Sequence, residues 1–132
     1  MNGKRWRGCA WAALLALVGL CGARAEDVKP TDEGKAEDFK GKTFDLKEKG
    51  EAAITLTFPG RRRATVTVKS EKKSDVNLFV YDINKKLVTK DDSPGPDCEV
   101  TFGPAAAVKL TLVVRNLGPG ANRSTLKVTL GR

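Results

Sequence analysis

A chain of 132 residues with no histidine cannot build a Ser-His-Asp triad, a Cys-His pair or a histidine metal site from its own side chains. Its 24 basic residues outnumber 16 acidic ones, for a formal net charge of +8, but four of the basic residues (Lys4, Arg5, Arg7, Arg24) and none of the acidic ones fall in the first 25 positions. The remaining 107 residues therefore carry +4, too little for a nucleic-acid footprint, and are enough for one domain but not two.

The amino end sets Lys4, Arg5 and Arg7 before an apolar run from Cys9 to Gly22, followed by Ala23-Arg24-Ala25 and the acidic Glu26-Asp27. A basic n-region, an apolar h-region and an A-x-A site in that order predict a secretory signal peptide over residues 1–25, cleaved after Ala25. Fourteen apolar residues are too few for a spanning helix, which needs about 20, so no membrane span is expected after cleavage. A lipoprotein would need a small residue before the modified cysteine, and Leu20 precedes Cys21. The expected location is the periplasm or the exterior of the cell. Both tryptophans, Cys9 and Cys21 leave with the signal, so Cys98 remains without a partner for an intramolecular disulfide.

Residues 26–42 are polar and of mixed charge, and read as a leader or linker with one helical turn around Asp32 to Phe39. From Thr43 the pattern switches to period two, the strand signature. Phe44 and Leu46 share one face; Ala52, Ile54, Leu56 and Phe58 share the next; then Ala64, Val66 and Val68, and Val76, Leu78 and Val80. A short strand around Lys86 to Lys90 follows. After it come Cys98, Val100 and Phe102, then Val108, Leu110, Leu112 and Val114, and last Leu126, Val128 and Leu130. Turn chemistry separates the runs at Lys49-Gly50, Pro59-Gly60, Asn84, Ser93-Pro94-Gly95-Pro96, Gly103-Pro104 and Gly118-Pro119-Gly120. Eight short alternating strands without amphipathic helices between them predict an all-β fold over residues 43–132, an antiparallel eight-stranded sandwich around one core.

The run Ser74-Asp75-Val76-Asn77-Leu78-Phe79-Val80-Tyr81-Asp82, then Lys86-Leu87-Val88, a Gly/Pro loop, Leu112-Val113-Val114-Arg115-Asn116 and Ser124-Thr125-Leu126-Lys127-Val128, resembles the bacterial pre-peptidase C-terminal domain. Phe44-Asp45-Leu46-Lys47-Glu48-Lys49-Gly50-Glu51 is similar to the opening strand and turn of that family, and the likeness covers about residues 43–131. It implies a jelly-roll-like sandwich that is non-catalytic and usually appended to secreted proteases and other extracellular enzymes. The sequence departs from that usage in that no enzyme domain is expected beside the sandwich, and Ser124 stands where the family often has a tyrosine.

No catalytic residues are expected. Ser70, Ser74, Ser93 and Ser124 sit at strand ends or turns, where a hydroxyl bonds the backbone, and Cys98 shares the inward face with Val100 and Phe102, where it packs as a small hydrophobe. Asp75, Asn77, Asp82, Asp91, Asp92 and Asp97 offer the hard oxygens that Ca²⁺ takes six to eight at a time. Collagen-binding members of the family hold calcium partly through acidic residues in the leader, and Glu26, Asp27, Asp32 and Glu33 occupy a comparable region. The spacing does not follow the EF-hand loop, so solvated acidic loops are the preferred reading, with Asp75, Asn77, Asp91 and Asp92 as the calcium candidates and no other cofactor. Arg61, Arg62 and Arg63, placed at a hairpin tip after Pro59-Gly60, are the anion-binding candidates; a charged tip that keeps edge strands apart is the alternative. Asn122-Arg123-Ser124 is a formal glycosylation sequon. Without Trp, and with Tyr81 alone, the exported chain lacks the flat aromatic platforms of carbohydrate binders.

These residues point to an exported, non-catalytic β-sandwich that serves as a binding or accessory module of unknown ligand, with an envelope polymer or an extracellular protein as the candidate partner. The alternative is a partner or regulatory subunit of a separately encoded secreted protease or other extracellular enzyme. A small hydrolase would need a carboxylate-only mechanism.

Overall fold

Alternation of aliphatic residues with Thr and Lys makes pleated strands whose apolar side chains leave on one face. The computed structural model describes residues 29–132, and within them nine strands form: β1 (Thr31–Lys35), β2 (Lys42–Leu46), β3 (Glu51–Phe58), β4 (Ala64–Ser70), β5 (Val76–Tyr81), β6 (Leu87–Asp91), β7 (Cys98–Phe102), β8 (Val108–Asn116) and β9 (Asn122–Leu130). The expected signal peptide, with Glu26 and Asp27 of the leader, lies outside the described residues.

Two sheets face each other. One has the order β2-β9-β4-β7 and is antiparallel throughout; the other has the order β1-β3-β8-β5-β6. Among the connections between successive strands, only the one from β5 to β6 stays within a sheet; every other carries the chain across the sandwich. The alternating residues meet between the sheets. Ile54, Leu56 and Phe58 of β3, Val66 and Val68 of β4, Val76, Leu78 and Val80 of β5, Leu112 and Val114 of β8 and Leu126 of β9 are fully buried, each stabilising the fold by about 1.5–3 kcal/mol relative to exposure. The Phe58 and Phe102 rings meet edge-to-face with centroids 5.0 Å apart, joining the two sheets.

Two local expectations are corrected. Residues 31–35 form a strand rather than part of a helical turn, and Ala36–Asp38 form a single 3-10 turn. The segment TDEGK has no apolar alternation to signal a strand; β1 instead pairs in parallel with β3 (Thr31 opposite Ile54), leaving most of its side chains exposed while Ala36 drops into the core at 3% exposure. The turn carrying Arg61, Arg62 and Arg63 is not a hairpin tip, because β3 and β4 belong to different sheets and Pro59 to Arg63 cross between them.

Candidate functional site

That crossing packs against the connection from β7 to β8. A Cβ added to Gly60 would lie 2.7 Å from Ala106 Cα, so only glycine allows the two chain segments to meet this closely. Arg61 adopts a left-handed conformation (φ 62°) and its backbone N–H donates to Pro104 O at 2.8 Å, while Arg62 Nε donates to Gly131 O at 2.7 Å. Arg62 is thus tied to the carboxyl-terminal strand's exit, and Arg61 and Arg63 stay exposed. The three arginines are adjacent in sequence, but Arg62 is anchored to Gly131 while its two neighbours are exposed.

Beside this crossing an open groove of about 390 Å³ runs between the sheets, lined by Asp82, Val88, Phe102, residues 103–107, Val108 and Leu110. A bulge makes its far wall. Val80 pairs with Thr89 and Tyr81 with Leu87, so Val88 has no opposite number and its side chain lines the groove. The hairpin from β5 to β6 leaves Ile83, Leu87 and Val88 at 71%, 43% and 45% exposure, the three large hydrophobic residues that stand in solvent among the described residues. Asp82 holds that hairpin: its Oδ1 accepts the backbone N–H groups of Asn84 (2.8 Å) and Lys86 (2.9 Å), with Lys85 left-handed at φ 65°.

The calcium candidates are scattered. Asp91 Oδ1 accepts from the Ser93 hydroxyl and backbone N–H, and its Oδ2 accepts from Glu99 N at 2.8 Å, so this one carboxylate links β6 to β7 across the sheets. Partial burial pushes its pKa up, but these three hydrogen bonds outweigh that and hold it below the ordinary value. Asp92 pairs with Lys90 at 2.9 Å, and the hydrogen bond and charge of Lys90 lower its pKa. Asn77 lies on the outer face of its sheet, opposite Arg115, with Oδ1 buried. The Asp75 backbone carbonyl receives Leu117 N and Gly118 N, and its Oδ1 is buried without a partner. Of the leader acids within the described residues, Asp32 pairs with Lys109 and Glu33 with Lys42. Among the described residues no three acidic or cysteine side chains converge as a metal cage.

Cys98 is 4% exposed and its thiol donates to Val76 O at 2.9 Å. Burial, reinforced by the charges of Asp91, Asp75 and Asp97, pushes the thiol up to about 12.

Sequence reasoning missed a buried polar network. Asn122 Nδ2 donates to Lys72 O and to Ser74 Oγ; the Ser74 hydroxyl donates to Asn116 Oδ1; and Asn116 Nδ2 donates to Lys47 O and Gly120 O. Nearby, the hydroxyls of Ser70 and Ser124 meet at 2.7 Å. In the folded domain the sequon asparagine, 2% exposed and doubly bonded through Nδ2, is closed to a glycan. The signal was present in part: Asn and Ser at strand ends between apolar runs are candidates for tying loops together.

On the outer face of the five-stranded sheet the rings of Phe79 and Tyr81 stack with centroids 6.3 Å apart, and the Arg115 guanidinium lies 5.7 Å over Phe79 while ion-pairing with the buried carboxylate of Glu51.

No helix of the described residues is long and apolar enough to cross a membrane. No family model matches the chain, and no curated protein matches it significantly. Solved structures do match. The pre-peptidase C-terminal domain of a collagenase from Bacillus anthracis superposes with a TM-score of 0.59 at 14% identity, over 76% of this chain and 95% of that one. PliG of Aeromonas hydrophila, a periplasmic inhibitor of g-type lysozyme, superposes with a TM-score of 0.51 at 17% identity, over 78% of this chain and 98% of that one. At such identities the likeness is one of fold, and the fold is the β-sandwich that the pre-peptidase C-terminal domain shares.

Proposed function

We propose that the protein is an exported, non-catalytic β-sandwich that serves as an accessory binding module for a separately encoded extracellular protein. The observation that carries this reading is the open apolar groove at one end of the sandwich, where Val88 and the neighbouring Leu87 and Ile83 stand in solvent although Ile54, Leu56, Leu78, Leu112 and Leu126 of the same sheets are fully buried. Both neighbours are non-catalytic β-domains, and each is bound up with an enzyme: one is a domain of a collagenase, the other an inhibitor of a lysozyme. That pairing favours, as a second reading, a regulatory partner of a secreted enzyme. The signal-like amino end supports export to the periplasm or the exterior.

The test is photo-crosslinking in the producing cells, with a benzophenone amino acid placed at Ala106 in the groove or at the exposed Lys127 on the outer face of the four-stranded sheet. An exported protein joined from position 106 and absent from position 127 supports the reading. Identical adducts from both positions, or none from 106, defeat it.

A further inference from the structure

We infer that the hairpin tip between β5 and β6 seats the protein on an anionic lipid surface, an inference that goes beyond the accessory-module reading and uses different side chains. Residues 83–88 are six consecutive exposed positions, and within them fall all three of the large hydrophobic residues that stand in solvent among the described residues. Val88 lines the groove, whereas Ile83 and Leu87 lie outside it, at 71% and 43% exposure.

The tip is braced before any contact is made. Asp82 N donates to Lys86 O at 2.9 Å and Lys85 N to Asp82 O at 3.0 Å, while Asp82 Oδ1 accepts the backbone N–H groups of Asn84 and Lys86. Lys85 takes the left-handed turn, and Leu87 stands opposite Tyr81 where strand pairing resumes. A turn fixed in this way presents Ile83 with little further ordering to be done on binding.

The residues between the aliphatic side chains favour a lipid surface over a protein pocket. Asn84, Lys85 and Lys86 separate Ile83 from Leu87 in the chain and are themselves exposed. A protein pocket closing over both aliphatic residues would have to bury the ammonium groups between them, and a buried charge without a built partner is costly. A bilayer interface imposes no such cost. There an apolar side chain enters the acyl boundary, while a lysine lays its stem along the apolar surface and keeps its ammonium among the headgroup phosphates. Residues 82–88 carry two lysines against one carboxylate, and that carboxylate, Asp82, lines the groove and caps the hairpin. The patch is also small. Three aliphatic side chains fall short of the ~800 Å² per partner that a stable protein interface buries, whereas a few apolar groups with basic neighbours give reversible attachment to an anionic bilayer.

Co-sedimentation with phosphatidylglycerol vesicles, using the protein recovered from the envelope or medium of the producing cells, provides the test. The protein should be retained, and retention should weaken as salt rises from about 20 to 150 mM, over which the Debye length contracts to about 8 Å. Ile83→Asp with Leu87→Asp should lower retention roughly tenfold, and Lys85→Gln with Lys86→Gln should lower it severalfold and flatten the salt dependence. All four positions are exposed, so the urea midpoint of either variant should stay close to that of the wild type, which separates lost binding from lost folding. Ile83→Trp adds an insertion reporter, because Trp6 and Trp11 are expected to leave with the signal; its emission should shift to the blue on phosphatidylglycerol vesicles. Equal retention of the wild type and the aspartate variant, equal retention on phosphatidylcholine vesicles, or unshifted emission from the Ile83→Trp protein overturns the inference. A benzophenone amino acid at position 83 that yields a protein adduct in the producing cells, without retention on vesicles, overturns it by making the occupant a protein. Dimerisation lost in the aspartate variant does the same by making it a second copy. Because Ile83 and Leu87 lie outside the groove, none of these outcomes decides the adduct from position 106 on which the accessory-module reading stands.

Discussion

The side-chain nitrogen of Asn122 lies 2.7 Å from the hydroxyl oxygen of Ser74, and that hydroxyl passes its own proton toward Asn116 Oδ1 at 3.0 Å. The donors run in one direction, so each member fixes the orientation of the next. Together they join the connection between β4 and β5 to the start of β9 and the end of β8. Replacing Asn116, itself 0% exposed, by alanine removes the donor to the Lys47 and Gly120 carbonyls and the acceptor of the buried Ser74 hydroxyl. Asn116→Ala should lower stability by about 2–4 kcal/mol, read as a shift in urea midpoint at unchanged slope.

Gly118 reaches the same region from outside. A Cβ there would come within 2.2 Å of Ser74 Cβ and 2.6 Å of Asp75 N. Since Asp75 N belongs to the backbone and Gly118 N itself donates to Asp75 O, neither side can yield without losing that contact. Gly118→Ala should cost about 1–3 kcal/mol in a thermal or urea melt, while Gly34→Ala, where no atom lies within 4 Å but φ is 84°, isolates the cost of backbone strain alone.

Cys98 should ignore an aromatic disulfide reagent at pH 8 in the native protein and react at once in denaturant, because burial holds its proton. The same shift has a stability consequence. In the unfolded chain the thiol ionises near 9.0, while in the folded domain it holds its proton to about 12, so deprotonation favours unfolding. Its contribution is complete below pH 9 and is lost as the pH rises toward 12. The difference between wild-type and Cys98→Ala in urea midpoint should therefore shrink across that interval; a constant difference would show that the thiol titrates normally.

Asp91 behaves in the opposite sense. Its folded pKa lies below 3.8, so its stabilisation is present above that value and disappears as the pH falls through the folded value. Asp91→Asn should cost about 1–2 kcal/mol at neutral pH, through the lost charge-assisted bonds to Ser93 and Glu99, and much less in strong acid. Because both Asp91 oxygens are engaged and Asp92 pairs with Lys90, millimolar Ca²⁺ should leave the melting temperature unchanged. An upward shift that vanishes in the double variant Asp91→Asn, Asp92→Asn would instead establish these residues as ligands.

Seven of the eight expected strands were legible because each turns an alternating apolar face inward, as Val66 and Val68 do against Thr65 and Thr67, whereas the eighth, β6, keeps Leu87 and Val88 exposed. β1 was not, since its position comes from backbone pairing with β3 and its side chains face solvent. Alternation also says nothing about which sheet the next strand joins, so a crossing at Pro59 to Arg63 looked like a hairpin tip. The groove was invisible for a related reason: it arises where Val88, left unpaired by a bulge, meets residues 102–108 and Leu110, and no local pattern encodes that meeting. The candidate arginines were found, but their separation into one anchored and two free side chains depends on Gly131, distant by about half the chain.

The way the chain changes sheets at nearly every connection governs the order in which the molecule can be assembled in time. Only the β5–β6 hairpin can close locally; pairing β2 with β9 joins residues 42–46 to 122–126, and β9 sits between β2 and β4 in the interior of its sheet. Non-local topologies of this kind fold in about milliseconds to seconds rather than microseconds. A chain appearing amino end first cannot complete the four-stranded sheet until Asn122–Leu130 are available, so β2 has no strand to pair with, and β4 has one edge open, until β9 arrives.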